Sequence, residues 1–387
     1  MKKIIIVINN LETGGVQKSL LNLLKEIHQK YDVTLLSFFG NQEYQRDIPE
    51  NVKVKILKSP FKHLGMSKKD TAGKPFLYLA RAVWVFLTKA FGRSFVMRLM
   101  GLFQPRIKGY DCAISYLHEG PQKNLYGGCN EFVLRKVQAL QKIAWLHCDF
   151  GLCGANNEQS RKIYARFDKI VACSEGCRRA FINCMPELAE KTASVRNCND
   201  FEQIRELAKN AVTYEDGFLN IVTVARLSEE KGIERALAAL AVCVAKGYRL
   251  RYHIVGSGDQ ESKLRNIVLE KSLTETVFFY GNQKNPYPYI ANADLFLLPS
   301  YHEAAPVVFD EAACLGVPVL ATQTTSTEEM IMQSGNGFVC ENSDVGIQHG
   351  LEEILADPQK LNEVRQHIKE KEFGNQSIVG KFDALFA

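Results

Sequence analysis

Two glutamates, Glu303 and Glu311, lie eight positions apart in a segment that reads HEAAPVVFDE. Proline suits the first turn of a helix, so Pro306 predicts a helix that begins just after Glu303 and contains Glu311. Backbone N–H groups at a helix N-terminus attract phosphate or sugar oxygens, and carboxylates accept hydrogen bonds from hydroxyl groups. The same pattern also occurs as surface charge that compensates a helix dipole. The candidate contacts at the helix start are Ala304, Ala305, Pro306 and Val307.

Two cations follow a predicted strand that runs from Ile221 to Ala225. Arg226 comes directly after this strand, and Lys231 lies at the start of the next predicted helix. Cations at the carboxyl edge of a sheet, beside a helix N-terminus, suit a diphosphate and the negative charge that develops when it leaves. The sequence therefore predicts a diphosphate site at this strand end.

The elements that must position these residues alternate along the chain. Short apolar runs typical of buried strands are separated by helical patterns, in one series up to Cys173 and in a second from Asn220. This alternation predicts parallel sheets covered by helices, and 387 residues exceed the size of one hydrophobic core. We therefore predict an α/β protein with two Rossmann-like domains, residues 1–205 and 206–387. Whether the last helix packs back on the first domain stays open at this point.

Further candidate residues follow other predicted strands, where open parallel sheets bind their ligands. Gly14 and Gly15 follow the first strand, and a backbone without Cβ atoms can approach a ligand closely. A lone histidine in such a place is a candidate ligand contact, although most lone histidines are structural. The remaining strand-end candidates are His147, Gly256, Gly258 and Gly281.

With these charged pairs and strand-end residues taken together, the sequence resembles the family-4 retaining glycosyltransferases of the GT-B fold. The pairs Arg226/Lys231 and Glu303/Glu311 match that family's donor-binding pattern in type, order and spacing, and the resemblance covers nearly the whole chain. The chain departs from the pattern at Cys198, where the family often has glycine in an Asn-Gly-x-Asp segment. The resemblance implies two facing Rossmann-like domains with a donor and acceptor cleft between them.

The resemblance also implies the reaction. A sugar would move from a nucleotide diphosphate sugar, with uridine as the family's common base, and its anomeric configuration would be retained without a metal ion or cofactor. Arg226 and Lys231 would stabilise the leaving diphosphate, while Glu311 holds the ribose and Glu303 holds the sugar hydroxyls. His147 would contact the sugar from the other domain.

Three other functions stay open at this point. A different GT-B enzyme, such as a sugar-nucleotide 2-epimerase, would share the fold but is not expected to carry both charged pairs. A membrane-associated scaffold that binds a sugar nucleotide without catalysis would tend to lose such charges. A nicotinamide dehydrogenase is disfavoured because Glu261 occupies the place of the third glycine in the dinucleotide fingerprint that Gly256 and Gly258 begin.

Basic residues are concentrated in one stretch, residues 58–108. The chain carries a net charge of +5, whereas this stretch alone has eleven Lys and Arg against one acid, Asp70, a local net charge of +10. It also contains many aromatic residues, and a basic aromatic helix can lie on an anionic membrane surface. The alternative is an ordinary helix that buries its aromatics in the core. No nucleic-acid-binding motif accompanies the charge, so we predict that residues 58–108 bind an anionic membrane and not nucleic acid.

Composition limits the location and the metal chemistry. No secretion signal is visible, and an apolar run such as Ala82 to Leu87 is far too short to cross a bilayer. None of the eleven cysteines forms a Cys-x2-Cys pair, so neither a metal site nor a disulfide framework is expected. We expect a cytoplasmic protein, peripheral on the inner face of the plasma membrane, that acts on a glycan or lipid-linked oligosaccharide in cell-surface polysaccharide synthesis.

Overall fold

The chain folds into two compact units, each built on its own sheet. The computed structural model describes residues 1–12, 14–40, 47–58, 60–67, 69–102 and 104–386. Unit 1 comprises Met1–Cys198 and the C-terminal segment from Asn375, and unit 2 comprises Asn199–Gly374. Every strand pairing in the two sheets is parallel. The predicted α/β architecture with two parallel-sheet domains is confirmed.

Unit 1 contains one parallel sheet covered by helices. Its strands are β1 (Lys3–Asn10), β2 (Asp32–Phe39), β3 (Lys53–Ile56), β4 (Ile107–Ser115), β5 (Val137–Leu146), β6 (Lys169–Ala172) and β7 (Thr192–Ser194). They are arranged in the order β3-β2-β1-β4-β5-β6-β7. Its helices are α1 (Gly15–Ile27), α2 (Lys62–Gly65), α3 (Pro75–Phe91), α4 (Arg93–Gly101), α5 (Cys129–Lys136), α6 (Glu158–Tyr164), α7 (Glu175–Cys184) and α15 (Gln376–Asp383). Short 3-10 helices lie at Lys69–Thr71, Pro186–Lys191 and Ala384–Phe386.

The core of unit 1 includes the end of the chain. Strand β1 lies in the middle of the sheet and is buried from Ile4 onward, as expected for a parallel strand that is covered on both faces. Phe382 of α15 and Leu385 after it are buried in the same core as Trp145. Tyr31 donates a hydrogen bond of 2.6 Å to Asp383. The segment from Asn375 is therefore part of the structure of unit 1.

Unit 2 repeats the same architecture with a smaller sheet. Its strands are β8 (Leu219–Val224), β9 (Leu250–Val255), β10 (Val277–Gly281), β11 (Leu295–Leu298), β12 (Val319–Thr322) and β13 (Gly337–Cys340), in the order β10-β9-β8-β11-β12-β13. Its helices are α8 (Phe201–Leu207), α9 (Ile233–Ala245), α10 (Glu261–Glu270), α11 (Tyr287–Ala291), α12 (Val307–Cys314), α13 (Asp344–Ala356) and α14 (Gln359–Lys369). A 3-10 turn spans Glu229–Lys231, and a π-helical turn spans Glu328–Met332.

Several elements differ from the sequence-based expectation. Strands β7 and β13 were not predicted, because their residues are mostly only partly buried, unlike those of the equally short β11 and β12. Strands β4 and β5 each begin five residues earlier than their apolar runs, because their first halves are only partly buried and carry polar residues. Helix α9 begins at Ile233, so Lys231 lies in the 3-10 turn before it. Within the described part of the chain, no helix has the length and apolarity needed to cross a membrane.

A buried histidine makes the stability of unit 2 dependent on pH. His253 on β9 accepts or donates hydrogen bonds of 3.0 Å with Tyr280 and with Asn220, and the ring of Tyr214 stacks on it at 3.7 Å. Burial, with Arg251 nearby, lowers the pKa of His253 to about 4. At pH 5 the imidazole is therefore neutral in the fold, whereas most unfolded chains carry the proton.

We expect acidification to destabilise unit 2 through His253. Because the unfolded state binds the extra proton, stability is complete above a pH of about 6.5 and falls by up to about 2 kcal/mol by pH 5. Hydrogen exchange of the β8 and β9 amides at pH 7.5 and pH 5 measures this loss within unit 2, once intrinsic exchange rates are corrected for. His253→Gln should reduce the difference between the two pH values. An equal difference in variant and wild type would show that other groups cause it.

Candidate functional site

The loop after β8 carries both predicted cations. Arg226 is 72% exposed and donates a hydrogen bond of 2.8 Å to Glu230. Lys231 ends the 3-10 turn, and Gly232 follows it with a φ of +61°, a left-handed conformation that favours glycine. A Cβ atom at Gly232 would lie 2.2 Å from the carbonyl oxygen of Pro299. The glycine therefore allows the loop to approach the end of β11 closely.

That close approach brings Lys231 to Glu303. Their Nζ and Oε1 atoms are 2.6 Å apart, and the two side chains are only 20% and 10% exposed. The same Glu303 oxygen accepts a hydrogen bond of 2.7 Å from Ser300, whose carbonyl accepts one from Thr322 at the end of β12. Residues from three strand ends thus form one charged, hydrogen-bonded cluster. The structure brings together two of the predicted site residues that are 72 positions apart.

Arg235 contacts the backbone segment that connects β11 to Glu303. Its buried side chain on α9 forms an ion pair of 2.9 Å with Asp344 and a hydrogen bond to the carbonyl of Pro299. Its guanidinium group lies 4.3 Å from the ring centroid of Tyr301, a distance suited to a cation–π contact. The segment between β11 and Glu303 is therefore fixed from both sides.

Helix α12 begins one residue after Pro306, so the proline lies before the first turn and not within it as predicted. Pro306 is the N-cap in an extended conformation, with Val307 as the first helical residue. The carbonyl of Ala304 accepts a hydrogen bond from Ser326, which fixes the Ala304–Ala305 loop between Glu303 and the helix. Glu311 is 2% exposed in α12. The side chain of Glu303 is slightly more exposed, at 10%.

Two of the strand-end glycines are required by backbone packing. A Cβ atom at Gly256 would lie 1.9 Å from the carbonyl of Ala225, and one at Gly258 would lie 2.1 Å from the carbonyl of Leu227. The Leu227 amide also donates a hydrogen bond of 3.0 Å to the Ser257 carbonyl. These glycines hold the loop that carries Arg226 against the end of β9. Their presence is explained without a ligand.

Gly281 is in a different situation. It has a φ of +66°, and its carbonyl accepts a hydrogen bond of 2.8 Å from Gly256. No described atom lies within 4 Å of a Cβ atom built there. The conformation favours glycine, while the space beside it is open and compatible with the predicted contact to a nucleotide.

In unit 1, Gly14 and Gly15 lie at the start of α1. Gly14 is the N-cap with a φ of −179°, which any residue can adopt. A Cβ atom there would lie 2.6 Å from the Oε1 atom of Gln17, whose buried side chain donates a hydrogen bond to Asn10. One at Gly15 would meet no described atom within 4 Å, so packing does not require Gly15 and the space beside it leaves room for a ligand.

His147 lies directly after β5, and its ring is buried. Its Nε2 atom is buried and has no hydrogen-bond partner among the described residues. The ring packs against Tyr116, with centroids 4.6 Å apart. Burial, with a smaller effect of His118, lowers the pKa of His147 to about 3. The imidazole is therefore neutral near pH 7, and its Nε2 atom can donate or accept one hydrogen bond with a ligand hydroxyl.

Sequence analysis did not identify three residues near His147. His118 follows β4, the strand that pairs with β5, and its Nδ1 atom is likewise buried without a partner in the described part of the chain. Burial lowers its pKa to about 4. The next residue, Glu119, forms an ion pair with Arg93 of α4, and both side chains are at most 1% exposed. The position of His118 just after a predicted strand was the one signal that could have identified it.

Arg93 fixes the loop that follows His118. Besides Glu119, its guanidinium group donates hydrogen bonds to the carbonyls of Gly120, Pro121, Asn124 and Tyr126. Five acceptors on one loop therefore converge on a single buried cation. The described residues contain no group of three or more His, Cys, Asp or Glu side chains that could hold a metal ion.

Comparison with known proteins identifies the domain in unit 2. Residues 205–371 match the family described as glycosyl transferases group 1. The chain is 32% identical over 134 residues to the amylovoran biosynthesis glycosyltransferase AmsK of Erwinia amylovora. That alignment covers 33% of this chain and 33% of AmsK, so this chain matches about a third of the length of AmsK. Unit 2 therefore contains a glycosyl transferases group 1 domain.

Solved structures share the fold over the whole chain. HepE of Anabaena in complex with UDP has a TM-score of 0.68 at 18% identity, covering 100% of this chain and 99% of that chain. The lipopolysaccharide outer core galactosyltransferase WaaB, in its apo form, has a TM-score of 0.64 at 16% identity, covering 100% and 99%. The predicted GT-B fold is confirmed.

Proposed function

We propose that this chain, which carries a glycosyl transferases group 1 domain, transfers a sugar from a nucleotide diphosphate sugar to a glycan or lipid-linked oligosaccharide in cell-surface polysaccharide synthesis. The domain match supports the transferase activity, and the part of AmsK in amylovoran biosynthesis supports a biosynthetic role. The UDP bound to HepE supports uridine as the base. The observation that carries the proposal is the Lys231–Glu303 pair at the strand edge that also carries Arg226.

The charged cluster suits the departure of a diphosphate. Lys231 is held at 2.6 Å from Glu303 in a mostly buried position, so its ammonium group is already oriented before a ligand arrives. Arg226 on the same loop is exposed and can turn toward a phosphate. Preorganised cations in a partly dry site stabilise developing charge more strongly than mobile ones in water. We assign both residues to the leaving diphosphate and Glu303 to the sugar hydroxyls.

We further propose that the reaction retains the anomeric configuration and needs no metal ion. The acceptor hydroxyl attacks the anomeric carbon on the face from which the diphosphate leaves. The bond between that carbon and the phosphate oxygen breaks, a bond to the acceptor oxygen forms, and the acceptor proton passes to the departing phosphate oxygen. Arg226 and Lys231 supply positive charge at that oxygen. Neutral His147 gives or accepts a hydrogen bond at a sugar hydroxyl.

Nucleotide binding and turnover test the proposal in separate steps. Purified protein in EDTA is titrated with UDP, GDP and ADP while its melting temperature is followed. A ligand present at about 100 times its Kd stabilises by about 2.7 kcal/mol, and we expect the largest shift with UDP. No stabilisation by any of the three would contradict the proposed donor site.

Turnover separates the remaining functions. With a matching nucleotide sugar and a polysaccharide-type acceptor, a transferase releases UDP and forms an α-linked product from an α-linked donor. A 2-epimerase inverts the configuration at C2 of the sugar without needing an acceptor, and a scaffold releases no UDP. A product of inverted configuration, or activity that is lost in EDTA and restored by magnesium, would contradict the mechanism.

Glu311→Gln is expected to weaken UDP binding with a smaller effect on folding. If the carboxylate accepts ribose hydroxyls, removing its charge loses about 1.5–3 kcal/mol, which raises the Kd for UDP about 10- to 100-fold. Calorimetric titration of UDP measures this change. Glu328→Gln alters an exposed glutamate in the same unit and serves as the control. Equal affinity in the Glu311 variant and the control would remove Glu311 from the donor site.

A further inference from the structure

Helix α3 leaves most of its apolar side chains uncovered. Of its 17 residues only Thr88 is buried. Phe76, Leu79, Val83 and Phe86 are between 51% and 88% exposed. Their spacing of three, four and three residues places them on one side of the helix. We call these four residues the α3 stripe.

The helix is attached through its other side, so the stripe is not needed to hold it. Arg81 donates hydrogen bonds of 3.1 and 3.3 Å to the carbonyl of Met66. Thr88, which is on the same side as Arg81, is enclosed by unit 1. Contiguous exposed apolar surface of this kind is uncommon on a protein that has no partner there.

The exposed apolar surface continues beyond the stripe. Phe91 at the end of α3 and Phe95 in α4 are exposed, with ring centroids 5.1 Å apart, and Leu102 after α4 is 74% exposed. The aromatic residues of this stretch are therefore mostly not in the core, contrary to the alternative interpretation of the sequence. Phe103 and Lys68 of the same stretch lie outside the described residues.

The described part of residues 58–108 supplies cations close to the stripe. A shallow groove along α3 is lined by Phe86 of the stripe and by Tyr78 and Lys89, among others. The exposed lysines Lys69 and Lys74 precede the helix. The one acid between residues 58 and 108, Asp70, accepts hydrogen bonds from the amide and hydroxyl of Ser67. A binding partner therefore meets an apolar band beside positive charge.

We propose that α3 lies along the surface of an anionic phospholipid bilayer, with the α3 stripe at the boundary between headgroups and acyl chains. Apolar and aromatic side chains insert to that depth in interfacial helices, while neighbouring Lys and Arg contact lipid phosphates. A bilayer of anionic lipid matches both surfaces at once. A second copy of the chain would instead bring two strongly basic surfaces together. The inference does not depend on the proposed glycosyl transfer.

Co-sedimentation with vesicles tests the inference on the full chain. We expect binding to vesicles of mixed phosphatidylcholine and phosphatidylglycerol that exceeds binding to phosphatidylcholine alone. Replacing Phe76, Leu79 and Phe86 by serine should weaken it about tenfold or more. The matched control replaces Leu140, Leu269 and Val345, which are similarly exposed elsewhere, by serine and should bind like wild type. Equal binding of the stripe variant and the control would overturn the inference.

A charge variant and a salt series separate the two contributions. Lys69→Gln, Lys74→Gln and Lys89→Gln together should weaken binding at about 0.1 M salt and have little effect at about 1 M, where charges are screened within about 3 Å. Some binding of wild type should persist at about 1 M salt through the stripe. Equal binding to neutral and anionic vesicles would overturn the proposed lipid specificity. Self-association that depends on the stripe, without vesicle binding, would assign the stripe to a second copy.

UDP affinity distinguishes this inference from the proposed function. Both variants should retain the wild-type Kd for UDP, because the substituted residues lie in unit 1 outside the predicted donor-contact residues. Loss of vesicle binding with intact UDP binding is therefore the expected pattern. Vesicle binding unaltered in both variants would overturn the membrane role of α3 and leave the transferase proposal standing.

Discussion

Lys231→Ala is expected to lower the kcat/KM of sugar transfer by roughly 30- to 1,000-fold. Such a loss corresponds to about 2–4 kcal/mol of transition-state stabilisation, the range for removing one preorganised group that faces developing charge. The ammonium group is held at 2.6 Å from Glu303, so its position does not depend on an ordering step when the diphosphate leaves. Steady-state rates with saturating acceptor and varied donor measure the loss.

The effect must be separated from the loss of an ion pair. Lys246→Ala removes a lysine that is paired with Glu352 at 2.7 Å on the surface of the same unit, and it should leave turnover unchanged. Arg226→Ala removes the second cation from an exposed position and should also lower turnover without lowering the melting temperature. Near wild-type rates in both Lys231→Ala and Arg226→Ala would place the diphosphate elsewhere.

Glu119→Ala is expected to destabilise unit 1 by about 3–5 kcal/mol, because it leaves the charge of Arg93 buried without a counter-ion. Both side chains of this pair are at most 1% exposed, so water cannot replace the lost carboxylate without opening the loop. The two tryptophans of the chain, Trp84 and Trp145, both lie in unit 1. Urea unfolding followed by tryptophan fluorescence therefore reports mainly on this unit.

A surface ion pair provides the control. Glu158→Ala breaks a pair with Lys162 in which both side chains are more than two-thirds exposed. Such pairs contribute at most about 1 kcal/mol, so the unfolding midpoint should shift little. A similarly small shift for Glu119→Ala would mean that the four carbonyl acceptors are sufficient to hold Arg93, and that the carboxylate is dispensable for the fold.

Local patterns in the sequence predicted most of the fold. Buried parallel strands such as β1 and β11 are short apolar runs, and α12 begins directly after a proline, so each element carries its own signal. Strands β7 and β13 carry a weaker signal, because most of their residues are only partly buried. The first residues of β4 were also missed, because they include polar residues and remain partly exposed, so they do not extend the apolar run.

The candidate site was predictable in its residues but not in its contacts. Lys231 and Glu303 follow different strands, and only the parallel order of β8 and β11 makes those strand ends neighbours. The Arg93–Glu119 pair was not predictable, because Arg93 occurs in a run of basic residues and nothing in the sequence marks it as buried. The two interpretations of the aromatic stretch differ in burial alone, which composition does not determine.

The contribution of the last residues to unit 1 has a consequence for synthesis on the ribosome. Phe382 and Leu385 belong to the core that is formed around β1 and Trp145, yet unit 2 lies between them and Cys198 in the chain. At about 5–20 residues per second, unit 1 waits roughly 10–40 seconds after Cys198 is translated before its core can close. Every residue of unit 2 has been translated by then. The nascent chain should therefore be able to complete its second unit first, while the open core of the first is the segment most in need of protection by a chaperone.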